Sequence, residues 1–213
     1  MFDGGEPVAA GRVYEKEKRR TKMEAAFHEA AERIQAIAHE DTRVVIAVDG
    51  RCAAGKTTLA ENLHKMINCT VFHMDDFFLR PEQRSIQRLN TPGGNVDHER
   101  FREEVLVPLK KGASRIAYRP YDCHTQALLP SVVAEATETV LIEGSYSCHP
   151  ELWDFYDLRI FLTVDPDEQL MRIALRSGEE SVRQFQERWI PLEEQYFTAY
   201  RIKERCDLCL EIR

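Results

Sequence analysis

Apolar positions recur along this chain with two periods, and the alternation between them predicts an α/β protein. Met23, Phe27, Ala30, Ile34, Ile37 and Ala38 stand three and four apart, the stripe of an amphipathic helix, which the pattern extends over 14–39. Continuous apolar runs rich in β-branched residues follow at RVVIAV (43–48), TVFHM (70–74), ETVLIE (138–143) and DLRIFLTV (157–164). Such runs read as strands covered on both faces, as in a parallel sheet. Helical patterns separate them: 56–67 with Leu59, Leu63 and Met66 inward, 97–109, 166–176, and 181–205 beyond a break at Ser177-Gly178. A last strand is expected over 207–212, and a β-hairpin near 115–135. Residues 80–95 read as polar and irregular. Alternating strands and helices require crossovers, so helices cover both faces of the sheet. The expected fold is three-layered, with a five-stranded parallel sheet, a small lid near 176–184 and an extra N-terminal helix. It occupies one domain, 14–213, behind a mobile tail, 1–13.

Composition narrows the function classes. The 213 residues carry a net charge of −7, against the basic balance of chains that bind nucleic-acid backbone. The run EKEKRR near the N-terminus therefore reads as a solvated helix face. Apolar runs of about five residues are far too short to span a bilayer, and the N-terminus has no apolar secretory core. The expectation is a cytoplasmic protein with no membrane or nucleic-acid partner, free to form a homo-oligomer. Its six cysteines are then expected to be reduced thiols. Cys206-x-x-Cys209 has no second pair to complete a metal site.

The most specific motif is Gly50-Arg51-Cys52-Ala53-Ala54-Gly55-Lys56-Thr57, which matches G-x-x-x-x-G-K-[ST] in full and lies between a buried strand and a helix. Its glycines allow the backbone to wrap closely around phosphate, and loop amides and the helix N-terminus face the anion. Lys56 is placed on the β- and γ-phosphates and the Thr57 hydroxyl on Mg²⁺. Thr58 is placed at the α-phosphate. The motif implies ATP, with GTP as the other possible donor.

Ligands of open α/β sheets sit beyond the carboxyl ends of the strands. Asp49, Asp75, Asp76 and Glu143 all fall there. Phosphoryl transfer needs a base for the acceptor hydroxyl and ligands for Mg²⁺. Asp75 is the candidate base, and Glu143 the candidate holder of a Mg²⁺-bound water. Asp49 fits that second role or that of a brace for the loop.

The stretches GRCAAGKTT, HMDDFFLRPE, NVDHERF, RPYDCHT, LIEGSY and FLTVDPDEQLMRIALR resemble the uridine kinase family of P-loop phosphotransferases, over about four-fifths of the chain. Residues 62–82 are also similar to nicotinamide riboside kinases. The resemblance implies a P-loop kinase-type fold and Mg²⁺·ATP-dependent phosphorylation of a nucleoside, uridine or cytidine first, with nicotinamide riboside or another small molecule as alternative. It implies Asp75 as catalytic Asp, Asp97 on the ribose hydroxyls, Tyr121 in the substrate pocket, Glu143 near Mg²⁺, and Arg172 and Arg176 as lid arginines. Arg183 is a weaker third lid candidate. His124 is the counterpart of a base-reading His, but comes only two residues after Asp122, and Gln126 stands near where the family has Arg.

Other residues divide between roles. Phe77 and Phe78 fit either a stacking wall for substrate or the core. Trp189, at helical spacing from Phe185 and Tyr196, reads as core, and His73 and His98 as structural donors. Cys148 and His149 are candidate pocket walls, and Arg80 and Arg84 read as solvated. Against all this stands a switch NTPase without an acceptor. Such proteins carry an N-K-x-D base-reading motif, which is absent from this sequence.

Overall fold

A computed structural model of the chain describes residues 23–38 and 42–212. Five strands form one parallel sheet in the order β2-β7-β1-β8-β9. They are β1 (Val44–Gly50), β2 (Thr70–His73), β7 (Thr139–Glu143), β8 (Leu158–Thr163) and β9 (Leu208–Glu211). β1 is central and buried along its whole length, which is why its sequence is apolar without alternation.

Helices cover both faces. On one, α1 (23–37) and α2 (Lys56–Ile67) pack Phe27, Ala30, Ile34, Leu59 and Leu63 against Val44, Ile46, Val48 and Leu141. The N-terminal helix thus covers the sheet. Its expected first part, 14–22, lies outside the described residues, as do the tail 1–13 and the run EKEKRR. On the other face are α3 (His98–Phe101, Arg102–Leu106 and Val107–Lys110) and the long helix α5 (Glu179–Gln184, Phe185–Trp189 and Ile190–Tyr200). They bring Phe101, Val105, Leu106, Tyr196 and Phe197 onto Val45, Phe72, Ile142 and Phe161. Between these elements lies α4 (Pro166–Ser177), capped by the Asp165 carboxylate and ended by Gly178.

The middle segments of α3 and α5, Arg102–Leu106 and Phe185–Trp189, are π-helical. Each is followed, one residue on, by a proline: Pro108 and Pro191. A proline inside a helix lacks an N–H and crowds the carbonyl four residues back, here Glu104 and Glu187, so the helix widens just before it. The expected helix 181–205 is also shorter than expected. It stops where Arg201 turns left-handed (φ 52°), and one more turn, Ile202–Arg205, leads into β9.

Two antiparallel pairs build the expected hairpin: β3 (Arg115–Tyr118) with β6 (Val132–Glu135), and β4 (Tyr121–Asp122) with β5 (Ala127–Leu128) nested at its tip. The stretch 80–95, expected to be irregular, contains a short helix, Ile86–Asn90, whose first turn is capped by the Ser85 hydroxyl (3.1 Å from Arg88 N–H). Cys206 meets the buried Cys148, with sulfurs 3.9 Å apart, while Cys209 is exposed. Among the described residues no His, Cys, Asp and Glu group is arranged to hold a metal.

Cys148 and His149 are buried rather than part of the cavity wall over the strand ends, and His149 is stacked on His98, with ring centroids 3.9 Å apart. Its Nδ1 accepts from Glu151 N–H, which requires a neutral ring. Burial, with His98 and Arg88 adding repulsion and Glu99 partly opposing, pushes the His149 pKa down to about 3. His98 is lowered too, chiefly by burial. The unfolded chain therefore takes up a proton on His149 below about pH 6.5 that the folded chain refuses until about pH 3, and burial of His98 acts in the same direction. Stability contributed by this pair is complete above pH 6.5 and lost as the pH falls. Urea unfolding of the wild type is expected to shift to lower midpoints between pH 7.5 and 5.5, and that shift to be smaller in His149→Gln.

Candidate active site

A cavity of about 1280 Å³ opens over the carboxyl ends of β1, β2 and β7. Its floor is the loop between β1 and α2. Gly50 has φ +131°, and a Cβ there would lie 1.9 Å from the Leu162 carbonyl oxygen, so β8 itself demands glycine. Gly55 (φ +99°) faces open space and is needed only for its left-handed backbone. No side chain caps α2, which leaves its first-turn N–H groups directed at the cavity. Lys56 Nζ lies back across the loop, donating to Gly50 O (2.7 Å), Arg51 O (3.0 Å) and Ser145 Oγ (3.3 Å).

The loop is tied down from beneath. Asp49 is fully buried and accepts from Gly50 N–H (2.7 Å), Tyr146 N–H (3.1 Å), Cys148 N–H (2.9 Å) and Tyr196 O–H (2.8 Å). Burial raises its pKa, and these donors with Lys56 oppose that rise. The brace role is therefore its geometry: all four donors leave no oxygen facing the cavity. From α5, Glu193 accepts from Cys52 N–H (2.9 Å) and Ser145 O–H (2.7 Å). From α4, Gln169 Nε2 donates to Cys52 O (3.0 Å) and Arg172 to Ala53 O (3.3 Å). Arg51 pairs with Glu194 (2.8 Å). The Cys52 thiol, buried and beside Glu193, is pushed up to about 12.

Of the residues singled out in the sequence, Cys52, Ala53, Gly55, Lys56, Thr57, Thr58, Asp75, Phe78, Glu143, Arg172 and Arg176 line this one cavity. Thr57 Oγ1 lies 3.3 Å from both Glu143 carboxylate oxygens. Ligands at 2.0–2.1 Å in an octahedron stand roughly 3 Å apart, and Mg²⁺ takes oxygen, so this donor pair fits the ion. His73 Nδ1, 2.5 Å from Glu143 Oε1, orients that carboxylate and has its own pKa raised by it. Asp75 opens onto the same space. Surrounding protein still strips enough water to raise its pKa, with Glu143 adding to the rise and Lys56 opposing it.

Other expectations land elsewhere. Phe77 is core, under Tyr118 and Arg100, and only Phe78 reaches the cavity. Asp97 is buried as the N-cap of α3: its carboxylate accepts from Arg100 N–H (3.1 Å) and Gln83 Nε2 (2.9 Å). Tyr121 is buried with its hydroxyl accepting from Arg84 (2.7 Å). His124 is exposed and outside the lining, which Cys123 and Gln126 join instead. Trp189 and Phe185 are not core. They line the cavity, half-buried, on the part of α5 that precedes the sheet-facing Tyr196 and Phe197. Arg84, read as solvated, lines it too. Glu193, Gln169 and Ser145 were not legible at all: each acts on the loop across 48 or more positions in sequence, counting Ser145 to Glu193.

The AAA domain family matches residues 46–190. Human nicotinamide riboside kinase 2 is 30% identical over 138 residues, 63% of this chain and 58% of that protein. The chain thus spans less than two thirds of the length of that relative. A uridine kinase of Ureaplasma parvum is 26% identical over 154 residues, 67% of this chain and 73% of its own. Among solved structures, a possible uridine kinase from Bacillus stearothermophilus superposes with a TM-score of 0.68 at 22% identity, covering 89% of this chain and 99% of that one. That likeness shows the fold.

Glu193→Ala leaves the Cys52 N–H and the Ser145 hydroxyl without their acceptor. An unmatched buried donor costs about 1–3 kcal/mol. The expected result is a stability loss of that order in urea unfolding, with weaker Mg²⁺·ATP binding by calorimetry. Unchanged values in both would refute the bracing role.

Proposed function

This chain belongs to the AAA domain family, and from that premise we propose that it is a Mg²⁺·ATP-dependent kinase for a hydroxyl of a small ribosyl acceptor. Uridine or cytidine stands first, and nicotinamide riboside is the alternative that the human relative's name supports. The observation that carries the proposal is the position of Asp75. It shares one cavity with Lys56 and Thr57, so an acceptor hydroxyl held by Asp75 faces the end of the phosphate chain.

In this reading the triphosphate lies along the loop amides and the α2 N-terminus, and Lys56 leaves its own loop carbonyls for the β- and γ-phosphates. Thr57 and Glu143 would hold Mg²⁺, directly or through water, and the ion supplies charge neutralisation between the phosphates. Asp75 accepts the acceptor's proton as its oxygen attacks the γ-phosphorus in line. Arg172 and Arg176, four residues apart on α4, add cationic N–H donors toward the equatorial oxygens that gain charge. Arg176 also stacks over Phe185 at the start of α5, so the Gly178 joint between α4 and α5 is where a lid would pivot to exclude water.

ADP release with Mg²⁺·ATP is expected to depend on an added acceptor and to fall about 10²- to 10⁴-fold in Asp75→Asn. Turnover independent of acceptor and of Asp75 would refute the kinase. Because burial raises the Asp75 pKa, and the base works deprotonated, kcat/KM is expected to rise with pH across the mildly acidic range and then level. A profile flat from pH 5 would assign the base elsewhere.

A further inference from the structure

Four arginines surround the acceptor end of the cavity, where Asp75, Phe78, Leu79, Leu89, Asn95, Cys123 and Gln126 meet. Three are neutralised by carboxylates: Arg80 by Glu82 (3.3 Å), Arg88 by Glu99 (2.5 Å), and Arg100 by Asp97 (3.5 Å) and Glu104 (3.3 Å). Arg84 is the exception. Among the described residues it has no carboxylate partner, and it alone of the four lines the cavity. Its guanidinium is nevertheless fixed. Nε and Nη2 donate to Leu79 O (3.1 and 2.9 Å) and Nη2 to Tyr121 O–H (2.7 Å), which leaves Nη1 as its unpartnered edge. Asp75, Cys123 and Arg84 line the same cavity, so an acceptor held at Asp75 shares its space with Arg84.

The polar groups that the family resemblance offers to a neutral nucleoside are occupied or outside. Gln83 and Arg100 hold Asp97, Arg84 holds the Tyr121 hydroxyl, and His124 faces solvent. A guanidinium with no internal counter-charge, aimed by neutral acceptors, suits an oxyanion far better than a neutral carbonyl. We infer that the acceptor carries a carboxylate at the end remote from its reacting hydroxyl, and that Arg84 is the residue that selects it. This rests on the kinase reading above and narrows its substrate class to acidic ribosides.

Matched pairs test it: nicotinate riboside against nicotinamide riboside, and orotidine against uridine, each pair differing in one carboxylate. The carboxylate member is expected to have a kcat/KM about 10- to 100-fold higher, carried in KM, since a remote ionic contact acts on ground and transition states alike. Arg84→Met is expected to remove the preference, read as the ratio of kcat/KM within each pair, and Arg84→Lys, a point charge without the fork, to restore part of it. If Arg84→Met merely damaged the fold, both members of a pair would fall together, and the melting temperature with them. Equal or reversed preference in the wild type, or a preference that survives Arg84→Met, overturns the inference. If no acceptor is phosphorylated, the kinase reading fails. Calorimetry with nicotinate riboside and orotidine then decides on Arg84 separately: binding lost in Arg84→Met upholds the carboxylate site, and binding absent or indifferent to Arg84 overturns it.

Discussion

The Asp49 carboxylate is the point from which the phosphate loop and the acid residues around it take their positions. An ion removed from water costs several kcal/mol unless its lone pairs find donors. Asp49 finds four, from the loop (Gly50), the turn after β7 (Tyr146 and Cys148) and α5 (Tyr196). Those segments are far apart in sequence, and the carboxylate fixes their separation to hydrogen-bond length. Drawing the turn after β7 so close to Gly50 forces Gly144 to φ +138°, with its would-be Cβ 2.9 Å from Met74 Cβ. Met74 precedes Asp75, and Glu143 precedes Gly144. One buried anion thus sets the spacing between the cradle, the Mg²⁺-side carboxylate and the Asp75 carboxylate.

Charge along the cavity is balanced where the whole chain is acidic. The chain carries −7, whereas five cations (Lys56, Arg84, Arg172, Arg176 and Arg188) face four carboxylates (Asp75, Glu143, Glu187 and Glu193) along the lining, and Arg172 is paired with a fifth, Glu168 (2.9 Å). Two unit charges about 4 Å apart interact by about 4 kcal/mol at an effective dielectric of 20, so these local charges outweigh the screened field of the distant surface. Loss of water and the nearby Glu143 carboxylate raise the pKa of Asp75, and Lys56 and His73 oppose the rise.

Legibility in the sequence followed sequence distance. The phosphate loop, the buried strands and the acids at strand ends could be read because each is a local pattern, and the structure gathers them around one cavity. The hairpin at 115–135 was legible as well. Errors appear where a distant partner decides. Trp189 looked like core from its spacing to Tyr196, whereas the cavity rather than the sheet lies under that end of α5. Asp97 looked like a ligand-facing acid, but Gln83, fourteen residues earlier, donates to its carboxylate. Glu193 had no signal of its own, since one more Glu in a helix is ordinary until Cys52 N–H is seen beneath it. Arg84 is exposed, as read, but its place in the cavity wall emerges only in the fold.

The two ends of the cavity are built from different kinds of structure, and this separates chemistry from selection. The transfer end rests on β1, β7, α2 and the Asp49 clamp, all locked into the sheet, where a shift of one methyl group meets backbone, as at Gly50. The acceptor end is carried by the segment 77–96, anchored in the core by Phe77 and Val96, and by the turn at 123–126, and the side chains at 84, 123 and 126 are exposed. Loops on a rigid scaffold tolerate change that the scaffold does not. Exchanging the side chains at 84, 123 and 126 therefore alters what is held without moving Lys56, Thr57, Asp75 or Glu143. The acceptor has to be read from charge and hydrogen bonding at its own end of the cavity.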